Sequence, residues 1–403
     1  MERLRSASIS IRILTPILVF ALFLTIFFAP LTAACSSTWC VQGCAVRCPM
    51  PRSPRVKNKT DRDPSAANLK DVAEYLGLSS ATVSMVMNRS PAAKSIPHHT
   101  QERVRAAARE LNYRPNFMAK SLRQKRSFTI GVMVPEISEG YGASVMSGIE
   151  DHLLQEGYFY YVVSHRHRKD LIEEYPRLLQ MRSVEGLITV DTPCQENKSL
   201  HVVAVSGHQN VPGVTNIVLD HALAAKLAME HLFALGHRHI AFIQGQEFSS
   251  DTEVRWRTVQ KSAAHLGLKI DESLVAQLVG EVSSPELGYY ATRKILAAQR
   301  PFTALFAFND ISAIGAIRAL TEANLKIPEE VSVVGFDDIQ SAAYQNPALT
   351  TVRQPMREMG VIAAETLLQR ITAPAAAPYP SSIIVKPTLV VRASTAASAR
   401  KTS

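Results

Sequence analysis

The stretch "LKDVAEYLGLSSATVSMVMN", Leu69–Asn88, decides the fold of the first part of this chain. Asn68 can cap a helix here, with Asp71 as its partner at the third helical position. Gly77 is placed to end that helix, because glycine adopts the left-handed backbone of a helix carboxyl end. Apolar residues recur between these two signals with helical spacing: Leu69, Val72, Ala73 and Leu76.

A second helix follows after a short turn, with Ser79 as its predicted cap. We expect Val83 and Val86 to face inward. The outward positions would be Ser80, Ala81, Ser84 and Met85. Two helices joined in this way are typical of a helix–turn–helix, whose second helix enters the DNA major groove. An ordinary packed helical hairpin has the same spacing, so spacing alone leaves both interpretations open.

A third helix is predicted up to about Asn112, after a polar loop that contains Pro91 and Pro97. Its apolar face would comprise Val104, Ala107, Ala108 and Leu111. Beyond residue 127 the pattern changes to short runs rich in Val and Ile, alternating with helical stretches. The runs are "TIGVMVP", "YYVVS", "GLITV", "HVVAVS", "NIVLD", "HIAFIQG", "ALFAFND" and "VSVVGFDD". Such alternation predicts an α/β body with two doubly wound parallel sheets.

Charge is distributed unevenly along the 403 residues, whose net charge is +9. Residues 1–127 carry 20 Lys/Arg and 7 Asp/Glu, whereas residues 128–403 carry 24 and 28. A basic first part on a mildly acidic body favours a polyanionic partner, either nucleic acid or anionic lipid. A merely solvated basic face is the simpler alternative.

Residues 1–67 contain an uncharged apolar run, Ile13–Cys35, followed by a polar stretch that we expect to be disordered. The run is typical of an export signal or a membrane anchor. Two hypotheses explain it: a spurious start, with Met50 as the true first residue, or a membrane-tethered protein that retains residues 13–34. The cysteines after it have no zinc-site spacing: Cys35, Cys40, Cys44 and Cys48.

The sequence supports neither catalysis nor a cofactor. No GxGxxG follows a strand, and the phosphate-binding GxxxxGK[ST], the hydrolase GxSxG and the metalloprotease HExxH are all absent. Histidines at 165–168 and 236–239 flank predicted strands, where polar residues are ordinary. We therefore predict a protein without an enzymatic activity, a cofactor or a metal site.

Several segments closely resemble the lactose-repressor (LacI/GalR) family of bacterial transcription regulators. They are Leu69–Asn88, "TQERVRAAARELNYRPNFMAKSLRQKRSFTIGVMVP", "GHRHIAFIQG", "FAFNDISAIGAIRAL", "IPEEVSVVGFDDI" and "LTTVRQPMREMG". The resemblance implies an all-α helix–turn–helix head and a two-lobed α/β body of the periplasmic-binding-protein type. The implied divisions are an extension at 1–67, the head at 68–114, a hinge helix and linker at 115–127, an effector and dimerisation domain at 128–395, and a tail at 396–403.

The resemblance also implies a homodimer that binds a near-palindromic operator in double-stranded DNA. Leu122 matches the family's hinge leucine, which wedges between base pairs and bends the duplex. Met85 departs from the arginine of many members, so their operator sequence cannot be transferred. In the longer loop before the third helix, Arg89 or Lys94 could add a backbone contact. The implied DNA-binding residues are Ser79, Ser80, Ala81, Thr82, Ser84, Met85, Asn88, Ala119 and Leu122.

Family effector positions fall on Tyr141, Ser164, Arg255, Asn309 and Asp337. Their hydrogen-bonding groups suit a small polyhydroxy ligand, so a carbohydrate or a nucleoside is the default effector. The sequence departs from the family pattern at Gly142, Ser206–Gly207 and Val282. The cleft is therefore expected to be less aromatic and less charged than a typical sugar site, and a non-sugar effector or none remains open.

Two other classes of protein compete with a cytoplasmic regulator. An exported solute-binding lipoprotein would share the body fold, and "LTAAC" resembles a lipoprotein cleavage site, although Thr32 fits that pattern weakly. An enzyme on an α/β scaffold is the third reading. Residues 68–127 favour the regulator, because an exported binding protein has no use for a helix–turn–helix and a basic head.

Overall fold

The structure is a computed structural model that describes residues 67–88, 90–114, 121–122, 124–137, 140–194, 197, 199–373 and 379–399. The apolar run, the four clustered cysteines, Met50, Arg89 and Ala119 lie outside these residues. Within the described part of the chain, no helix is long and apolar enough to cross a membrane.

The head consists of three helices around a small core. They are α1 (Leu69–Leu76), α2 (Ser80–Met87) and α3 (His98–Glu110), with a 3-10 turn at Pro91–Ser95 between α2 and α3. Each helix contributes a valine with no exposed surface: Val72, Val83 and Val104. Ala73, Val86 and Ala107 complete the buried cluster.

The caps predicted for α1 are confirmed. The Asn68 side chain accepts hydrogen bonds from the backbone N–H groups of Lys70 and Asp71, at 2.8 and 3.2 Å. The Asp71 carboxylate accepts in return from the Asn68 backbone at 2.7 Å, which closes a capping box. Gly77 ends the helix at φ +67°, in the left-handed region that glycine adopts without strain.

The first lobe of the body contains a six-stranded parallel sheet. Its strands are β1 (Thr129–Val134), β2 (Phe159–Ser164), β3 (Gly186–Val190), β4 (His201–Val205), β5 (Val214–Leu219) and β11 (Ser382–Val385). They lie in the order β11-β5-β4-β3-β1-β2. Its helices are α4 (Tyr141–Gln155), α5 (Lys169–Met181) and the late α11 (Met356–Thr372).

The second lobe contains another six-stranded sheet. Its strands are β6 (Ile240–Gln244), β7 (Val275–Gln277), β8 (Ala304–Phe306), β9 (Ser332–Asp337), β10 (Thr350–Arg353) and β12 (Thr388–Val390). They lie in the order β12-β10-β9-β8-β6-β7, and all pairs are parallel except β10 with β12. Its helices are α6 (His221–Ala234), α7 (Ser250–His265), α8 (Pro285–Ala297), α9 (Asp310–Glu322) and the short α10 (Gln340–Ala343).

The chain passes between the lobes three times, after β5, after β10 and after β11. All eight apolar runs proposed from the sequence form strands. Seven of them are largely buried in the parallel sheets, whereas β2 lies at a sheet edge and has only exposed and half-buried residues. The described end of the chain packs on the second lobe. There the backbone N–H of Ser398 donates to the Leu235 carbonyl at 2.8 Å, and the Ala396 carbonyl lies 3.1 Å from His237 Nε2.

Candidate nucleic-acid interface and ligand cleft

The start of α2 presents a small, polar surface. Ser79 accepts from the Thr82 backbone at 3.1 Å and lies 2.8 Å from the Thr82 hydroxyl, which fixes the first turn. Ser80 and Ala81 are exposed, whereas Val83 and Val86 are buried, as predicted. The exposed side chains are short, so a groove edge could approach the helix backbone closely.

The later positions of α2 are less open than expected. Ser84, Met85 and Asn88 are half-buried. The Asn88 amide donates to the Ser84 carbonyl at 2.8 Å and to its hydroxyl at 3.1 Å, so the two polar side chains are partly engaged with each other. Leu122, by contrast, is 83 % exposed, which is unusual for a leucine and leaves its side chain available for contact.

A cleft with a cavity volume of about 100 Å³ lies between the two lobes of the body. Some of the residues that line the cleft come immediately after the carboxyl end of a strand. Asp191, for example, follows β3. Four of the five effector positions line the cleft: Tyr141, Arg255, Asn309 and Asp337. Ser164 does not line it; its hydroxyl donates to the Pro135 carbonyl at 3.0 Å.

Arg255 is the most constrained residue of the cleft. Its Nη1 donates to the Phe308 carbonyl at 2.5 Å, and its Nη2 donates to Asp251 Oδ2 at 2.9 Å. The guanidinium carbon lies 3.7 Å from the ring centre of Phe336 and 4.3 Å from that of Phe308. Packing between two rings fixes the planar group in one orientation.

Two carboxyl groups of the cleft have raised pKa values. Burial, reinforced by the charges of Asp251 and Asp191, raises the pKa of Asp337 to about 7, although Arg255 and a 2.6 Å hydrogen bond from Gln354 oppose the shift. Burial and the charge of Asp251 raise the pKa of Asp191 to about 6. At pH 7 the Asp337 carboxyl group is therefore partly protonated and can donate as well as accept, whereas Asp191 is mostly ionised and accepts.

The same two residues adopt left-handed backbone conformations, with φ +108° at Asp337 and +40° at Asp191. Ser206, which follows β4, has φ +57°. Non-glycine residues pay for such conformations with strain, and they concentrate at ligand sites. The three strained residues lie where strands end beside the cleft. The surrounding structure therefore holds their side chains in place despite the unfavourable backbone conformations.

Two buried polar atoms of the cleft lack a partner among the described residues, Arg255 Nε and Gln354 Oε1. Tyr141 and Asn309 already have partners, since the Tyr141 hydroxyl lies 2.5 Å from Ser206 Oγ and Asn309 Oδ1 caps α9. Buried donors and acceptors without partners are costly unless a ligand or water satisfies them.

The cleft is more charged than we expected from the sequence. Sequence reasoning missed several of its residues: Glu136, His167, Asp191, Phe248, Asp251 and Gln354. Asp191 was detectable, because it directly follows a predicted strand. The aromatic character is supplied partly by Phe248, whose ring centre lies 3.7 Å from that of His167.

Hydrogen bonds join the lobes beside the cleft. The Ser250 hydroxyl of α7 donates to the Ser206 carbonyl at 2.6 Å and to Asp191 Oδ1 at 3.0 Å. His208 Nε2, in the loop after β4, lies 2.6 Å from Asp251 Oδ1. The first turn of α7 therefore attaches the second lobe to two strand ends of the first.

The histidines singled out in the sequence have structural partners. His165 Nε2 lies 2.9 Å from the Thr192 hydroxyl. His237 bridges the Thr303 hydroxyl and the Ala396 carbonyl at 2.9 and 3.1 Å. These contacts give both residues a structural role.

Comparisons with known proteins agree with this architecture. Residues 68–116 match the family "Bacterial regulatory proteins, lacI family", and residues 229–395 match a "Periplasmic binding protein-like domain". The HTH-type transcriptional repressor PurR of Haemophilus influenzae (strain KW20/Rd) is 32% identical over 316 residues, which cover 76% of this chain and 91% of that protein.

Solved structures are similar over comparable lengths. The Lac repressor dimer bound to operator and the anti-inducer ONPF has a TM-score of 0.70 and 29% identity, and covers 82% of this chain and 100% of that one. A LacI family regulator from Enterococcus faecium with bound ribose has a TM-score of 0.59 and 27% identity, and covers 67% and 99%. Head, body and relatives therefore agree: the chain belongs to the LacI family of bacterial regulatory proteins.

Proposed function

We propose that this protein is a transcriptional repressor that binds a near-palindromic operator as a homodimer and is controlled by a small effector in the interlobe cleft. The observation that carries the proposal is the capped helix–turn–helix, with the exposed start of α2, joined to a two-lobed body. The proposed action is binding rather than catalysis, and it takes place in the cytoplasm, where the operator is.

The DNA contacts proposed for the head follow from exposure. Ser80 and Ala81 would face base edges, and the backbone N–H groups and hydroxyls around Ser79 would bind phosphate. Ser84, Met85 and Asn88 remain in the proposed interface at its half-buried side. Leu122 would leave water when it enters the minor groove, within the hinge segment 115–127.

Selection from a random duplex library, followed by affinity measurement on the enriched sequence, tests this interface. Ala81→Asp places a carboxylate at the exposed start of α2, so we expect at least tenfold weaker binding. Ala106→Asp, at an exposed alanine of α3, is the matched control and should bind normally. Equal affinities for the two variants would show that α2 does not face DNA.

The wedge has its own test. Leu122→Ala should weaken operator binding by about 10- to 100-fold and reduce the measured bend, because the truncated side chain buries less apolar surface. Met181→Ala removes another exposed apolar side chain, on α5, and should change neither quantity. Unchanged bending in Leu122→Ala would reject the wedge.

For the effector we propose a carbohydrate or a nucleoside. Arg255, Asp337 and Gln354 offer it buried donors and acceptors, and the bound ribose of the Enterococcus faecium relative supports a polyhydroxy ligand. Tyr141 and Asn309 would complete the walls. Ser164, whose hydroxyl donates to the Pro135 carbonyl, would contribute only by holding Pro135, which follows β1 and lines the cleft.

A thermal-shift screen of sugars and nucleosides identifies the ligand, and Asp337→Ala tests the site. The variant should lose at least tenfold in affinity for whichever compound stabilises the wild type. His239→Ala, a substitution outside the cleft lining, is the control. Full binding by Asp337→Ala would remove this residue from the proposed site.

A further inference from the structure

We propose that His208, His221 and Asp251 form a binding site for a divalent transition-metal ion of the Zn²⁺ class, which would link the two lobes. One ligand atom from each residue lies within 4.8 Å of the others. His208 belongs to the first lobe, His221 begins α6 just after the chain crosses over, and Asp251 lies in α7 of the second lobe. The site is independent of the effector's identity.

The distances are close to those a bound ion requires. Zinc binds imidazole nitrogen and carboxylate oxygen at about 2.0–2.2 Å, so neighbouring tetrahedral ligands lie roughly 3.3 Å apart. His221 Nε2 is 3.4 Å from Asp251 Oδ1. His208 Nε2 is 2.6 Å from the same oxygen and must open by less than 1 Å.

His221 supplies the independent observation. Its side chain is only 4 % exposed, yet neither ring nitrogen has a hydrogen-bond partner among the described residues. A buried imidazole without partners is costly, because both nitrogens lose their hydration. Its Nε2 points to within ion-pair distance of Asp251, and a metal ion between them would satisfy it.

The Asp251 carboxylate is shared between the arginine and the two histidines. Its Oδ1 lies 2.6 Å from His208 Nε2 and 3.4 Å from His221 Nε2, so both imidazoles converge on one oxygen. Arg255 occupies only Oδ2, at 2.9 Å, which orients the carboxylate and leaves Oδ1 toward the histidines.

Three protein ligands leave one tetrahedral position open. Asp251 also lines the effector cleft, so a water molecule or an effector oxygen could complete the coordination. A bound ion would hold the lobes in the arrangement seen here. Metal binding would then change the affinity for the effector, and by linkage the effector would change the affinity for the metal.

The test uses the full chain with Cys35, Cys40, Cys44 and Cys48 replaced by serine, which removes thiolate ligands. Titration with Co²⁺ should give visible absorption bands of one tetrahedral nitrogen- and oxygen-coordinated site, and Zn²⁺ should abolish them. His208→Asn and His221→Asn should each lower the affinity at least tenfold. His239→Asn, at an exposed histidine outside both the cluster and the cleft, is the control and should bind as the parent does.

A histidine variant could also lose the metal because it folds poorly. A second measurement therefore uses the protein that keeps all of its histidines. X-ray absorption of its Zn²⁺ complex should show two imidazole ligands, and Zn²⁺ should raise its unfolding temperature. Absence of a stoichiometric site, or a site that persists in His221→Asn, would overturn the proposal and leave the three residues as an interlobe ion pair.

Discussion

Replacing Asp337 by Asn should stabilise the protein at neutral and alkaline pH. Asp337 is 5 % exposed, and burial raises the pKa of its carboxyl group from 3.8 to about 7. The unfolded chain releases this proton near pH 4, whereas the folded protein retains it up to about pH 7. The folded state therefore binds more protons in that interval, and its stability falls as the pH rises.

The size of the effect follows from the two pKa values. A difference of about three pH units corresponds to about 4 kcal/mol, at 1.36 kcal/mol for each unit. Water entry and small side-chain movements relieve part of this cost, so the figure is an upper bound. We expect Asp337→Asn to be more stable than wild type by up to about 4 kcal/mol at pH 8, and by less than half of that at pH 5.

Urea unfolding of the effector-free protein between pH 5 and pH 8 measures the difference. Asparagine has nearly the same shape, and its amide oxygen can still accept the hydrogen bond from Gln354. Asp338→Asn, at the neighbouring residue, is the control and should lower the free energy of unfolding. It removes the carboxylate that pairs with Arg353 and Arg392 at 2.6 Å. The reasoning is refuted if Asp337→Asn shows no gain at pH 8, or a gain that does not shrink toward pH 5.

Three further substitutions test the packing. Asn68→Ala should destabilise the head by about 1 kcal/mol through loss of the capping box, seen in thermal unfolding; an unchanged melting temperature would contradict this. Gly148→Ala should lower the free energy of unfolding by about 1–3 kcal/mol or more, because the new Cβ would lie 1.9 Å from the Arg357 carbonyl oxygen. Gly142→Ala is the control for the same urea titration and should be tolerated, because its nearest contact is 3.7 Å. Arg370→Met should cost about 1–3 kcal/mol in that titration, because buried acceptors lose their donor; equal midpoints would refute the role.

Local signals were sufficient for most of the fold. The caps at Asn68 and Gly77 act within four residues, and a strand buried on both faces is visible as an apolar run. The strands that sequence reasoning missed lack such a signal. β7 and β12 have three residues each, and β10 buries Thr350 and Thr351 instead of an apolar run. β11 begins with an exposed serine and pairs with β5, more than 160 residues earlier.

The candidate sites were predictable to different degrees. Family resemblance placed Arg255 and Asp337, because each lies in or near a long matching segment, and both line the cleft. Gln354 and Asp191 reach the cleft only because their strands are neighbours of others in the two sheets. His208, His221 and Asp251 are separated by 13 and 30 residues, a spacing that corresponds to no metal signature, and only the folded arrangement brings them together.

The first turn of α7 contacts both the ligand cleft and the first lobe, so it can couple ligand binding to the arrangement of the lobes. Ser250 bonds two strand ends of the first lobe, and Asp251 binds His208 of that lobe together with Arg255 of the cleft wall. A ligand that engages Arg255 must alter the charge balance at Asp251, and therefore the strength of the contact with His208. An effector shifts a conformational equilibrium only by its different affinity for the two states. This single turn contributes both to the cleft and to the contacts between the lobes. Effector binding can therefore change the relative stability of the two lobe arrangements without a structural change in the sheets.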